Sequence, residues 1–198
     1  MSTTTIRKAD PPAGFTPDDL LSMGSDGKGF ELVDGQLVEK AMGIESSAVN
    51  RRVSKYLGNF ADEYRLGEVL ESEAGYQCFD HDPNRVRKPD VSFVRKERLP
   101  AEGLPEGWFR IAPDIAVQVV SPNDIAYDLE EKLADYRSAG VPLIWVVYPN
   151  RRTVQVYAGG SEVPAVLHES DSLTGSDVLP GFSVQVAELF PQAPGDQS

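Results

Sequence analysis

Apolar positions along this chain recur with two different periods, and the breaks between them divide it into elements. Thr16-Pro17-Asp18-Asp19 predicts a helix start, with Thr16 as N-cap and Pro17 at the first helical position. That helix is expected to run through Met23 and to stop in the Gly-rich segment Gly24 to Gly29. Phe30 to Glu39 alternates on both sides of Asp34-Gly35, which predicts a β-hairpin. The reason is that tight hairpin turns need positive φ, which Asp-Gly supplies at low cost. Val49, Val53, Tyr56, Leu57 and Phe60 follow helical spacing, with Ser46 or Ser47 as the expected cap. Gly67 to Phe79 reads as a strand and a hairpin partner, and His81 to Asn84 as a turn. Pro89-Asp90 then opens the strand Val91 to Val94.

Pro100 to Gly107 reads as a loop. Ile115 to Val120 is nearly all apolar, as a strand covered on both faces should be, and its one polar residue is Gln118. Ser121-Pro122-Asn123-Asp124 breaks it. A helix is expected over Asp128 to Ala139, with Leu129, Leu133 and Tyr136 on one face and Gly140 ending it. Pro142 to Tyr148 is another buried strand, and Thr153 to Tyr157 alternates after the turn Pro149 to Arg152. A helix between two apolar strands predicts a right-handed crossover. The fold class is therefore mixed α/β (mixed α+β): a central mixed sheet with bent antiparallel strands, flanking helices and an N-terminal hairpin. One domain is expected over 15–190, with flexible segments at 1–14 and 191–198. The sequence has no internal repeat and no Gly-rich phosphate loop.

Composition narrows the function classes. The 198 residues are 40% hydrophobic and 25% charged, ordinary for a globular chain that buries a core without staples. No stretch approaches the roughly 18 apolar residues of a membrane span, and no signal-peptide pattern follows Met1. Cys78 stands alone, which excludes an internal disulfide framework and a Cys-based zinc site; it is expected to be a small buried apolar residue. A cytoplasmic protein is the expectation. The net charge of -12 excludes nucleic-acid binding through the overall field, because such binding needs Lys and Arg to neutralise phosphates. A local basic patch is the route left to DNA. Arg85, Arg87, Lys88, Arg95, Lys96 and Arg98 crowd around Asp90, and Arg51-Arg52 and Arg151-Arg152 add two pairs. The alternative is a solvated face balancing nearby acids.

The candidate chemistry lies on two core strands and the helix that follows them. Asp90, Gln118 and Lys132 give an acid, a second oxygen donor and a lysine on adjacent elements, the set a metal-dependent phosphodiesterase needs. Each has a structural alternative. Asp90 is also a common kind of strand-start surface residue. Gln118 also fits a core amide bonded to the backbone, and Lys132 also fits a pair with Asp128 one turn back. His81 and His168 lack ligand spacing and read as surface residues, while Trp145 and Tyr148 read as core.

Five segments in order resemble the Uma2 family, also called DUF820, a restriction-endonuclease-like domain. They are Phe30 to Val38, Arg87 to Val94, Pro113 to Pro122, Lys132 to Tyr136 with Gly140-Val141 and Ile144 to Pro149, and Leu179 to Phe182. The resemblance covers about residues 15 to 190 and implies the PD-(D/E)xK nuclease fold. It implies that Asp90 binds a divalent cation, Mg²⁺ or Mn²⁺, and that Gln118 stands where the family carries a second acid. The usual lysine position is Val120, and the resemblance points to Lys132 instead, whose long stem can still bring its ammonium to the site. The Gln118 side-chain oxygen and the Val119 main-chain carbonyl would complete the protein ligands, since Mg²⁺ prefers hard oxygens. Glu31, where the family pattern also has an acid, is a candidate for the missing carboxylate; otherwise it is an exposed hairpin acid.

The expected function is a divalent-metal-dependent endonuclease hydrolysing DNA phosphodiesters, weakened by an amide where an acid belongs. The alternative is a catalytically inactive member of the fold, acting as a binding or assembly module. An enzyme on another phosphorylated substrate is a third reading. By the same resemblance a homodimer is expected.

Overall fold

The computed structural model of the chain describes residues 14–40, 43–122 and 124–192. The segments expected to be flexible, 1–14 and 191–198, lie almost wholly outside these residues.

The N-terminal elements follow from local chemistry. Helix α1 (Pro17–Ser22) opens with a full capping box. The Thr16 hydroxyl accepts the Asp19 N–H at 3.2 Å, and the Asp19 carboxylate accepts the Thr16 N–H at 2.8 Å. Strands β1 (Phe30–Val33) and β2 (Gln36–Glu39) form the hairpin, with Val33 opposite Gln36. Asp34 (φ 48°) and Gly35 (φ 73°) both take the left-handed conformation of the tight turn. Helix α2 (Ile44–Tyr64) starts earlier than either serine suggested, with Gly43 as N-cap. Ile44, Glu45 and Ser47 of its first turn are exposed, Ile44 at 94%, so the apolar stripe of Val49, Val53, Leu57 and Ala61 begins only a turn later. Ser46 is instead inside the helix, where its hydroxyl donates to the Val120 carbonyl at 3.2 Å.

Strands β3 (Gly67–Glu71), β4 (Val91–Arg95), β5 (Ile115–Val119), β6 (Leu143–Tyr148), β7 (Thr153–Ala158) and β8 (Ala165–Leu167) form one sheet in that spatial order. All neighbours are antiparallel except β5 and β6, which are parallel and joined through helix α3 (Ala126–Ser138). β3 does pair with β4, but it ends at Glu71 rather than Phe79. Beyond it the chain crosses over, and Tyr76 bridges to Arg87 and Phe109 instead. Gly75 permits this crossing, since a Cβ there would stand 2.3 Å from the Trp108 ring. A second hairpin, β9 (Ser172–Gly175) with β10 (Leu179–Gln185), was not legible from the pattern.

The period-two alternation of the central strands assigns the two faces. Val91, Phe93, Ile115, Val117, Leu143 and Trp145 pack against α2 and the β9–β10 hairpin. Phe182 stacks on Trp145 with ring centroids 5.8 Å apart. Ala116, Ile144 and Val146 face Leu133 and Tyr136 of α3. Gln118, in step with Ala116, therefore points to the α3 side. The fold is the mixed α/β arrangement expected, a central mixed sheet with three α-helices among the described residues. No helix among them is long and apolar enough to cross a membrane.

Candidate active site

The first hairpin, the leading end of β4, the trailing end of β5 and the first turns of α3 enclose a cleft of about 230 Å³. Glu31, Asp90, Gln118, Val119 and Lys132, the five residues singled out from sequence, all line it. They arrive from four elements separated by up to 101 positions in the chain.

Asp90 sits just before β4 and is 6% exposed, so it is not a surface strand-start residue. Its own N–H donates to the Val117 carbonyl at 2.9 Å, which continues the β4–β5 pairing by one residue. Its Oδ2 accepts the Val119 N–H at 2.8 Å. Its Oδ1 faces the ammonium of Lys40 at 2.9 Å. The backbone thus fixes one oxygen and leaves the other to a cation.

Gln118 is 5% exposed, and its Nε2 donates to the Tyr136 hydroxyl at 2.8 Å. The expected backbone partner is replaced by a phenol from α3. Burial, with the Glu31 charge nearby, holds the Tyr136 pKa well above its ordinary value, so the phenol stays neutral. This bond uses the amide nitrogen, and no described residue donates to the amide oxygen.

Lys132 pairs with Glu31 (Nζ to Oε2, 3.1 Å) rather than with Asp128. Glu31 is fully buried, contrary to the exposure expected of a hairpin acid. The cause is tertiary: Leu32 bridges to Val86 and presses β1 onto the segment before β4. Glu31 Oε1 accepts the Lys88 N–H at 2.8 Å, and Oε2 lies 3.3 Å from Arg87 Nη1. Burial pushes the Glu31 carboxyl up, but Lys132, Lys40, Arg87 and the Lys88 N–H together hold it below the ordinary carboxylate range. It is ionised at neutral pH.

The basic cluster around Asp90 divides in two, with Arg85, Arg87 and Lys88 buried and Lys96 and Arg98 exposed. Arg85, Arg87 and Lys88 are 6%, 2% and 3% exposed. Arg85 and Arg87 converge on Asp135 of α3, at 2.8 Å and 2.6 Å. Lys88 pairs with Glu73 at 2.9 Å, and Arg98 with Asp114 at 2.8 Å. Arg85, Arg87 and Arg98 are thus paired with buried acids and Lys88 with the half-exposed Glu73. The alternative of a solvated face also fails for the three buried ones. His81 and His168 are exposed as expected, although His81 Nε2 comes within 3.2 Å of Asp135. Cys78 is only half-buried.

Lys40 is the residue the sequence concealed. A lysine directly after a short hairpin strand reads as a solvated end, and only the packing of the hairpin against the segment before β4 brings it to Asp90. Asp124, read as part of a strand-breaking turn, also lines the cleft while accepting the Ser121 N–H at 2.7 Å. Among the described residues no group of three or more His, Cys, Asp or Glu side chains converges as a ready metal cluster. Asp90, Gln118 and Val119 line the same cleft and between them carry a carboxylate, an amide and a main-chain carbonyl, the kinds of oxygen that hard cations take.

The fold is thus a mixed sheet that gathers an acid, an amide and a lysine into one cleft. The chain belongs to the Uma2 family, described as "Putative restriction endonuclease", whose sequence model matches residues 17–187. Among solved structures it is similar to a crystal structure described as a putative nuclease belonging to DUF820 from Anabaena variabilis ATCC 29413. The two share a TM-score of 0.75 over 89% of this chain and 97% of that one, at 19% identity, so the likeness is one of fold. Among curated proteins no match is found.

Proposed function

We propose that the protein is a divalent-metal-dependent endonuclease that hydrolyses DNA phosphodiester bonds, acting in the cytoplasm as a homodimer. The observation that carries this reading is the convergence of Asp90, Gln118, Lys132 and Glu31 in one cleft, with Lys132 held on Glu31 at 3.1 Å. Asp90 Oδ1, Gln118 Oε1 and the Val119 carbonyl would hold Mg²⁺ or Mn²⁺. When bound, such an ion supplies Lewis acidity toward the phosphodiester and toward water.

The chain's own residues do the rest. The Val119 N–H holds one oxygen of the Asp90 carboxylate and so fixes its position in the cleft. Glu31 holds the Lys132 ammonium beside it, where it donates to a phosphate oxygen as negative charge grows in the transition state. Lys132, Lys40, Arg87 and the Lys88 N–H together keep Glu31 a carboxylate against its burial, so it cannot take the proton of the attacking water at low cost. With Gln118 in place of an acid, the site holds one negative charge fewer for the metal, and weak affinity is expected.

The test is plasmid cleavage by the purified protein in Mg²⁺ and in Mn²⁺, with Asp90→Ala alongside. Cleavage that disappears in Asp90→Ala is the expected result. Cleavage retained in that variant overturns the assignment of Asp90. The second reading, an inactive module of the same fold that binds or assembles, is favoured by Gln118 and by the engagement of both Asp90 oxygens. It predicts no cleavage with either metal together with a stable complex.

A further inference from the structure

Asp90 already faces a cation. Lys40 Nζ lies 2.9 Å from Asp90 Oδ1 and donates to the Lys88 carbonyl at 2.6 Å. The two side chains are 9% and 8% exposed, so water screens the pair little. The ammonium therefore stands at the carboxylate oxygen that the backbone leaves unused.

Gln118 makes this placement consequential. Two carboxylates at the end of β4 and β5 could serve a lysine and a metal ion together. Between those two strand ends this cleft has one, Asp90, and Lys40 pairs with it, while Glu31 and Asp124 line the cleft from other elements. A divalent ion arriving there meets a positive charge within contact distance of its principal ligand. The same cleft offers the ammonium somewhere to go. Glu31 lines it and already feels the Lys40 charge, and the side chain has four methylenes to swing.

We propose that Lys40 is the built-in counter-cation of Asp90, occupying the cation position in the metal-free protein and leaving it when a divalent ion binds. The affinity of the cleft for metal is then set by competition with the chain's own lysine. This rests on the metal reading of Asp90 given above. Lys40 is a positioning residue here: it acts through Asp90 and needs no contact with the reacting atoms.

The experiment is calorimetric titration of Mn²⁺ into the full-length protein and into Lys40→Met and Lys40→Arg. Removing the competing charge should tighten Mn²⁺ binding at least about tenfold in Lys40→Met. Lys40→Arg keeps the charge and should show no such gain. Thermal unfolding checks that each variant is folded. If Lys40→Met is not, Lys40→Gln removes the charge while keeping a donor for the Lys88 carbonyl, and the same gain is expected. Equal or weaker affinity in the folded neutral variant overturns the competition and leaves the metal reading standing. No heat from any of the proteins, the neutral variant included, removes both.

Discussion

Asp135→Asn tests the ionic framework that holds α3 against the strand carrying Asp90. Asp135 is 3% exposed and accepts Arg85 Nη1 at 2.8 and 2.9 Å and Arg87 Nε at 2.6 Å. The two arginines do not lose equally. Arg85 keeps Glu131 at 2.8 Å and Asp34 at 2.6 Å, although Asp34 is 73% exposed and that bond is screened. Arg87, 2% exposed, keeps only Glu31 at 3.3 Å and Glu131 at 3.4 Å, and its Nη2 makes no hydrogen bond even with Asp135 present. The amide retains one acceptor oxygen but turns an NH₂ toward a guanidinium. A charge-assisted hydrogen bond contributes about 1.5–3 kcal/mol net. Stranding one partner of a buried ion pair costs about 3–5 kcal/mol. Taking the partial rescue of Arg85 into account, a loss of about 3 kcal/mol is expected, or a Tm lower by about 6–12 °C for a domain of this size. Urea unfolding followed by tryptophan fluorescence at neutral pH measures it. A loss under about 1 kcal/mol would refute the reasoning, because it would mean that water reaches the arginines in the folded state.

The remaining predictions concern titration. The Glu31 carboxyl lies below its ordinary 4.5 in the folded protein, so its contribution to stability is full above 4.5 and is lost as pH falls through the lower folded value. Urea midpoints should therefore drop below pH 4.5 in the wild type and drop less steeply in Glu31→Gln; parallel curves would contradict this. Burial, reinforced by Asp80, pushes the Cys78 thiol up to about 12. At pH 8 the native thiol should react with a disulfide reagent about a hundred- to a thousandfold more slowly than in the urea-unfolded chain, since the thiolate is the reactive form. Comparable rates in the two states would show that the thiol is not desolvated.

Short-range chemistry determined much of this protein. The capping box at Thr16 and Asp19, the Asp34-Gly35 turn and the apolar runs of β5 and β6 depend on residues a few positions apart. They could be read before any fold was known. The break at Ser121-Pro122 and the helix carrying Leu133 and Tyr136 were legible for the same reason, although β5 ends one residue earlier and α3 begins two residues earlier than the pattern suggests. The resemblance to the Uma2 family pointed to Asp90, Gln118, Val119, Lys132 and Glu31, and the fold does bring these five to one cleft.

What the tertiary structure alone decided is the electrostatic setting of those residues. Glu31 is buried because β1 is pressed against the segment before β4, a contact that no local pattern encodes. Arg85, Arg87 and Lys88 look like a basic patch in sequence, yet they are consumed by Asp135, Glu31 and Glu73 from elsewhere in the chain. Lys40 carries no periodic signal and reaches Asp90, 50 positions further along the chain, only because the hairpin packs against the segment before β4. Periodicity reports which face a side chain takes within its own element. Which charges then meet depends on strand order and element packing, and at low exposure those meetings fix both protonation and the room left for a ligand.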